Sequence, residues 1–152
     1  MDDRDVVRMD DREMVEEGNA QFYRALEQLS IEEMEEIWLH APWVRCVHPG
    51  WGMLSGWEAI WESWVGIFQT TKMMTVELSD VEVTVEGDAA WVVCVESISS
   101  VWEQGMTGGQ AAATNIFCRT GAGWKLVHHH ASPMPSPDGQ DGPGPEDEEG
   151  KA

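Results

Sequence analysis

From Met74 to Ser132 the sequence reads as strands separated by short turn-forming stretches, and over Met74–Val85 apolar and polar residues alternate with a period of two. Val76, Leu78, Val81, Val83 and Val85 mark a strand over Met74–Val85, and EGD (86–88) makes a hairpin turn. Ala89–Glu103 reads as a second strand, GMTGG (105–109) as a loop and Ala111–Arg119 as a third strand. TGAG (120–123) is another turn, and Trp124–Ser132 is the last strand. Hairpin-joined strands pair antiparallel, and a sheet with an apolar face must cover it. The cover has to come from the residues upstream.

Those residues carry helical spacing. Val6, Met9, Met14, Val15, Phe22, Leu26 and Leu29 recur near a period of 3.6, which predicts an amphipathic helix over Asp2–Gln28 with Gly18-Asn19 as its weak point. Ser30 followed by Glu32 and Glu33 reads as an N-cap with acids in the first turn. That second helix buries Ile31, Met34, Ile37 and Trp38 and stops before Pro42. Val44–Val47 is a short strand, and PGWG after His48 is loop chemistry. A third helix over Trp57–Phe68 presents Trp57, Ile60, Trp61, Trp64, Ile67 and Phe68 on one face. Helices ahead of strands predict an α+β domain over residues 1–132. Its three N-terminal helices pack in the concave face of a strongly curved, mainly antiparallel sheet, a cone-shaped barrel with room for a cavity. Residues 133–152 are rich in proline, glycine and acid without an apolar face, and are expected to stay disordered.

Charge narrows the partners. With 28 acidic and 9 basic residues the formal charge is -19, so neither nucleic acid nor an anionic membrane surface is an expected partner. Cys46, Cys94 and Cys118 sit singly in apolar runs and read as reduced core residues. No apolar run approaches the length of a membrane span, and the first residues lack a basic start with an apolar core, so a cytoplasmic location is expected. Nine tryptophans against one tyrosine must line a core, a cavity or an interface.

The segments NAQFYRALEQLSIEEMEEIW (19–38), VRCVHPGW (44–51), LSGWEAIWESW (54–64), ATNIFCR (113–119) and WKLVHHHASP (124–133) resemble the nuclear transport factor 2-like superfamily. The resemblance is to its SnoaL-like and ketosteroid-isomerase-like branch, within a bacterial subgroup, and it spans Met14 to Ser132. It implies a cone-shaped barrel with a pocket at the open end, and a homodimer formed through the outer face of the sheet. Ketosteroid isomerase keeps an aspartate base before a proline at the end of its first strand. The matching position is His48, before Pro49. Its oxyanion donors are a tyrosine on the first helix, matched by Phe22, and an aspartate, matched by Asn115. Steroid isomerase activity as such is therefore not implied.

The residues themselves leave two readings of His48. It accepts or donates a proton near neutrality, or it pins the Pro49-Gly50 loop by a hydrogen bond. Strand alternation places His128 and His130, with Trp124 and Leu126, toward the cavity and His129 away from it. Three imidazoles are a set that zinc accepts, yet no cysteine or carboxylate stands at ligand spacing, and no metal or cofactor is expected. Ser97 joins this polar patch, while Glu96 is placed on the outer side of its strand. Trp51 and Trp64 are expected to stack on a small apolar or planar ligand, and Trp61 to pack in the core. The function expected is a pocket that binds such a molecule and isomerises, cyclises or dehydrates it with His48 and Asn115. The alternative is a non-catalytic ligand-binding or dimerisation module.

Overall fold

In the computed structural model, which describes residues 9–135, three helices pack with a six-stranded mixed sheet, two of whose strands come before the third helix. The first helix, α1 (Asp11–Gln28), starts where a reciprocal cap can form. The Asp10 carboxylate accepts from the Glu13 N–H at 2.8 Å, and Glu13 reaches back to the Asp10 N–H. Met9 and Asp10 precede the first turn, so the helix begins later than its periodicity suggested, and residues 2–8 lie outside the described part. Gly18 does not break it. A Cβ there would stand 3.2 Å from a ring carbon of Phe117, which is fully buried, so glycine lets helix and sheet approach closely. Leu29 ends α1 in the left-handed region, and the Ser30 hydroxyl caps α2 (Ile31–Ile37) at the Glu33 N–H.

A short strand β1 (Arg45–Val47), a two-residue β2 (Leu54–Ser55) and α3 (Trp57–Thr70) follow. The sheet is completed by β3 (Thr71–Glu86), β4 (Ala89–Trp102), β5 (Gly105–Thr120) and β6 (Gly123–Met134). The spatial order is β2-β1-β6-β5-β4-β3, antiparallel throughout except that β1 runs parallel to β6. GMTGG is strand rather than loop, because residues 105–110 pair with the far half of β4. Strand β6 likewise continues to Met134, and the expected tail beyond it lies outside the described residues from 136 onward.

The apolar faces meet as an α+β fold requires. Val15, Phe22 and Leu26 of α1, Met34 of α2 and Ile60 and Trp64 of α3 pack on Val92, Phe117 and Leu126. Arg119 fixes the helix on the sheet: its guanidinium pairs in bidentate fashion with Asp11 at 2.7 and 2.8 Å, reaches Asp88 at 3.1 Å and covers the Trp124 ring. Trp61 departs from its core assignment. It lies near the surface, where its N–H donates to Glu35 at 2.9 Å, because α3 turns Ile60, Ser63 and Trp64 inward.

One irregularity decides the site. Opposite the step from Ile116 to Phe117, β6 carries an extra residue: Ile116 pairs with His128 and Phe117 with Leu126, leaving Val127 unmatched. A bulge of this kind shifts the alternation by one. Leu126 faces inward, but beyond the bulge the inward positions are His129 and Ala131. No helix among the described residues is long and apolar enough to cross a membrane.

Candidate functional site

Between α1, α3 and the concave sheet face lies a cavity of about 430 Å³, lined by His48, Trp51, Trp64, Glu96, Ile98 and His129 among others. His48 follows the last residue of β1, and its backbone carbonyl holds the Trp51 N–H at 2.9 Å, which folds the PGW turn over the ring. Trp51 and Trp64 both meet the imidazole edge to face, with centroids 4.7 and 4.5 Å away. Trp64 is buried, whereas Trp51 is 48% exposed and stands at the mouth.

The Ser63 hydroxyl donates to the Ile60 carbonyl at 2.6 Å, so it accepts from His48 Nε2–H at 2.9 Å. His48 is only 4% exposed, and this burial pushes its pKa down to about 4. It is neutral at physiological pH.

A second polar system crosses the inner wall. Tyr23 on α1 donates its O–H to Glu96 Oε2 at 2.5 Å and accepts from Asn115 Nδ2 at 3.1 Å. Asn115 Nδ2 also donates to Asn19 Oδ1 at 2.8 Å. Both amide hydrogens are then used, so Asn115 Oδ1 accepts from His129 Nδ1–H at 2.5 Å. The bonds run in one direction, from His129 through Asn115 and Tyr23 to the Glu96 carboxyl. Such a chain polarises its members cooperatively.

Glu96 is 1% exposed, and burial raises its pKa to about 7 against the opposing bond from Tyr23. Burial, with smaller repulsion from His48, His128 and His130, pushes His129 down to about 3. The Tyr23 hydroxyl is held far above its usual range by burial and then by the Glu96 charge, so it stays a donor.

The structure rearranges the expected site. His48, Trp51 and Trp64 line the cavity as the sequence indicated. Asn115 is fully buried behind the wall and reaches the cavity only through Tyr23 and His129. His128 is half-buried and His130 exposed, their rings 6.2 Å apart on the outer face, because the Val127 bulge turns His129 inward in their place. Ser97 also lies outside the cavity lining, and its hydroxyl accepts from Gln110 at 3.0 Å. Glu96 is inside, opposite to expectation: Ala90, Val92, Cys94 and Glu96 form the buried row of β4, and Val95 and Ser97 the other. Phe22, the residue matched to the tyrosine of ketosteroid isomerase, is buried, and the next residue, Tyr23, brings a hydroxyl to Asn115. Tyr23 is the one tyrosine in the chain, and that was the signal available for it.

Comparison with known proteins agrees with this architecture. A family model described as a SnoaL-like domain matches residues 15–137. A candidate dehydratase of the NTF2-like family from Streptomyces avermitilis is 40% identical, superposes with a TM-score of 0.78, and is matched over 83% of this chain and 97% of its own. A candidate calcium/calmodulin-dependent protein kinase type II association domain from Thiobacillus denitrificans is 28% identical with a TM-score of 0.69, over 78% and 94% of the two chains. F-box protein SKIP8 of Arabidopsis thaliana is 26% identical over 116 residues, 76% of this chain and 48% of that protein, so the chain spans about half the length of the curated relative it matches.

Proposed function

The chain belongs to the SnoaL-like domain family, within the nuclear transport factor 2-like superfamily, and on that footing we propose that its pocket binds a small, planar, uncharged molecule and moves a proton on it. The reaction is an isomerisation, a cyclisation or a dehydration. One observation supports this above others: Glu96, His129 and His48 open on the same largely apolar cavity. Among the described residues no lysine or arginine lines it, so those residues offer a ligand anion no counter-charge.

Proton transfer is most efficient from a group whose pKa lies near the working pH, and Glu96, at about 7, meets that condition better than either imidazole. As a carboxylate Glu96 takes the proton from a carbon beside a carbonyl, and the C–H electron pair passes into the adjoining bond. As a carboxylic acid it returns the proton, to another carbon in an isomerisation or to the departing hydroxyl, which leaves as water. His48, neutral and braced by Ser63, holds the ligand under Trp51. The likeness to a candidate dehydratase at 40% identity is in keeping with this chemistry.

Deuterium exchange at the carbon next to the carbonyl of β-tetralone, followed by NMR in heavy water, tests the reading without knowledge of the natural substrate. The wild type is expected to exceed the buffer rate, and Glu96→Gln to lose roughly a hundredfold or more of that acceleration. If β-tetralone binds but exchanges at the buffer rate, catalysis is refuted and a binding module remains.

Self-association through the outer sheet face is the second part of the proposal, supported by the likeness to an association domain and by the half-buried Trp91, Val93 and Val95 on that face. Light scattering of Val93→Glu should report a monomer with unchanged circular dichroism. A wild type that is already monomeric at micromolar concentration would remove the proposal.

A further inference from the structure

The direction of the hydrogen bonds in the inner wall states what the ligand must bring. Glu96 Oε2 accepts, so Tyr23 donates to it, and the Tyr23 oxygen is left to accept from Asn115 Nδ2. That orients the Asn115 amide with Oδ1 toward His129, whose Nδ1 must then carry the hydrogen. His129 Nε2 is consequently a bare lone pair on a ring that lines the cavity, and it has no partner among the described residues. His48 has the complementary arrangement: its Nε2–H is spent on Ser63, which leaves Nδ1 without a hydrogen. His48 Nδ1 already lies 3.9 Å from the Cys46 thiol, so on the inner wall His129 Nε2 is the open imidazole acceptor, beside the buried Trp64 Nε1–H, a donor without a partner among the described residues. An acceptor faced by another acceptor or by a carbon is left unsatisfied, which costs affinity.

Resting on the pocket reading above, we infer that the ligand is a neutral cyclic molecule carrying a hydroxyl group, and that this hydroxyl donates to His129 Nε2. The assignment gives Asn115 and Tyr23 a positioning role. They touch no ligand, but they set the His129 tautomer and so the polarity of the recognition site. A methyl ether of the same ring would occupy the same space without a donor. A carboxylate would lack the donor and add a charge that the acidic chain repels.

Three probes of one scaffold separate the possibilities: a phenolic hydroxy-β-tetralone, its methyl ether, and unsubstituted β-tetralone. Titration of the wild type is expected to show the hydroxy compound bound about tenfold more tightly than the ether, the usual worth of one buried hydrogen bond. Imidazole nitrogen spectra should show His129 Nδ1 protonated and Nε2 bare in the free protein, with Nε2 shifting when the hydroxy compound binds and unmoved by the ether. In His129→Phe the preference is expected to vanish; should that variant fail to fold, the wild-type nitrogen spectra decide. A protonated Nε2 in the free protein, or equal affinity for hydroxyl and ether, overturns the inference. If all three ketones bind equally while β-tetralone still exchanges, the hydroxyl anchor alone is refuted. If none binds, the pocket reading falls with it.

Discussion

Asn115→Leu is expected to lower the unfolding free energy by about 3–5 kcal/mol, far beyond the change in side-chain volume. Asn115 is fully buried and joins three partners. Leucine fills the space but leaves the Asn19 carbonyl oxygen and the His129 Nδ1–H without partners. Each such buried group costs about 1–3 kcal/mol, and the network loses its cooperativity as well. Ser97→Ala provides the contrast. Ser97 holds one half-exposed bond to Gln110, and its loss is expected to change stability by about 0.5 kcal/mol or less. Urea denaturation of both variants measures the difference. A cost below about 1 kcal/mol for Asn115→Leu would mean that water or a rearranged Asn19 replaces the amide, and the relay would not be a structural unit.

The second large effect is on pH. His48 and His129 have pKa values of about 4 and 3 in the folded chain, against an ordinary 6.5. Between those values the unfolded chain binds more protons, so the stability they contribute is complete above pH 6.5 and is lost as pH falls through 4 and 3. Glu96 works in the opposite direction. Its folded pKa of about 7 exceeds its ordinary 4.5, so its contribution is complete below pH 4.5 and is lost as pH rises to 7. Two imidazoles against one carboxyl give a net rise in stability from pH 4 to pH 6.5, on the order of 4 kcal/mol, with a maximum near pH 6.5. Glu96→Gln should steepen the rise between pH 4.5 and 6.5 and abolish the decline from 6.5 to 7. Urea midpoints across that range read both features. A profile in which Glu96→Gln leaves the slope unchanged would show that the carboxyl titrates as if in water.

Much of this architecture was legible from periodicity. The α1, α2 and α3 faces, the hairpin turns at Gly87 and at Gly121-Ala122, and the place of His48 at the end of β1 follow from residue spacing and turn chemistry. The site was legible only in part, and the misses share one cause. Alternation states which residues share a face of a strand but not which face is inward, and it fails past a bulge. On β4 the outer row of Trp91, Val93 and Val95 is as apolar as the inner row of Ala90, Val92 and Cys94, so Glu96 was assigned to the wrong side. On β6 the row was correct as far as Leu126, and Val127 then exchanged His128 and His130 for His129. Nothing in WKLVHHHASP announces that extra residue, because glycine, the usual mark of a bulge, is absent. In α1 the error was one position: Phe22 and Tyr23 are both buried, and only the partner across the core tells which carries the hydroxyl toward Asn115.

The bulge at Val127 also bears on how such a cavity changes over time. Strand β6 holds two alternative sets of imidazoles, one turned into the cavity and one held in reserve on the opposite face, and they differ by a single place in the count of residues. Exchanging them alters no side chain; gaining or losing one residue upstream of His128 is enough. In this fold, strand length is therefore as direct a route to new chemistry as replacement of the residues that perform it, and comparison of related chains by residue type alone would overlook it.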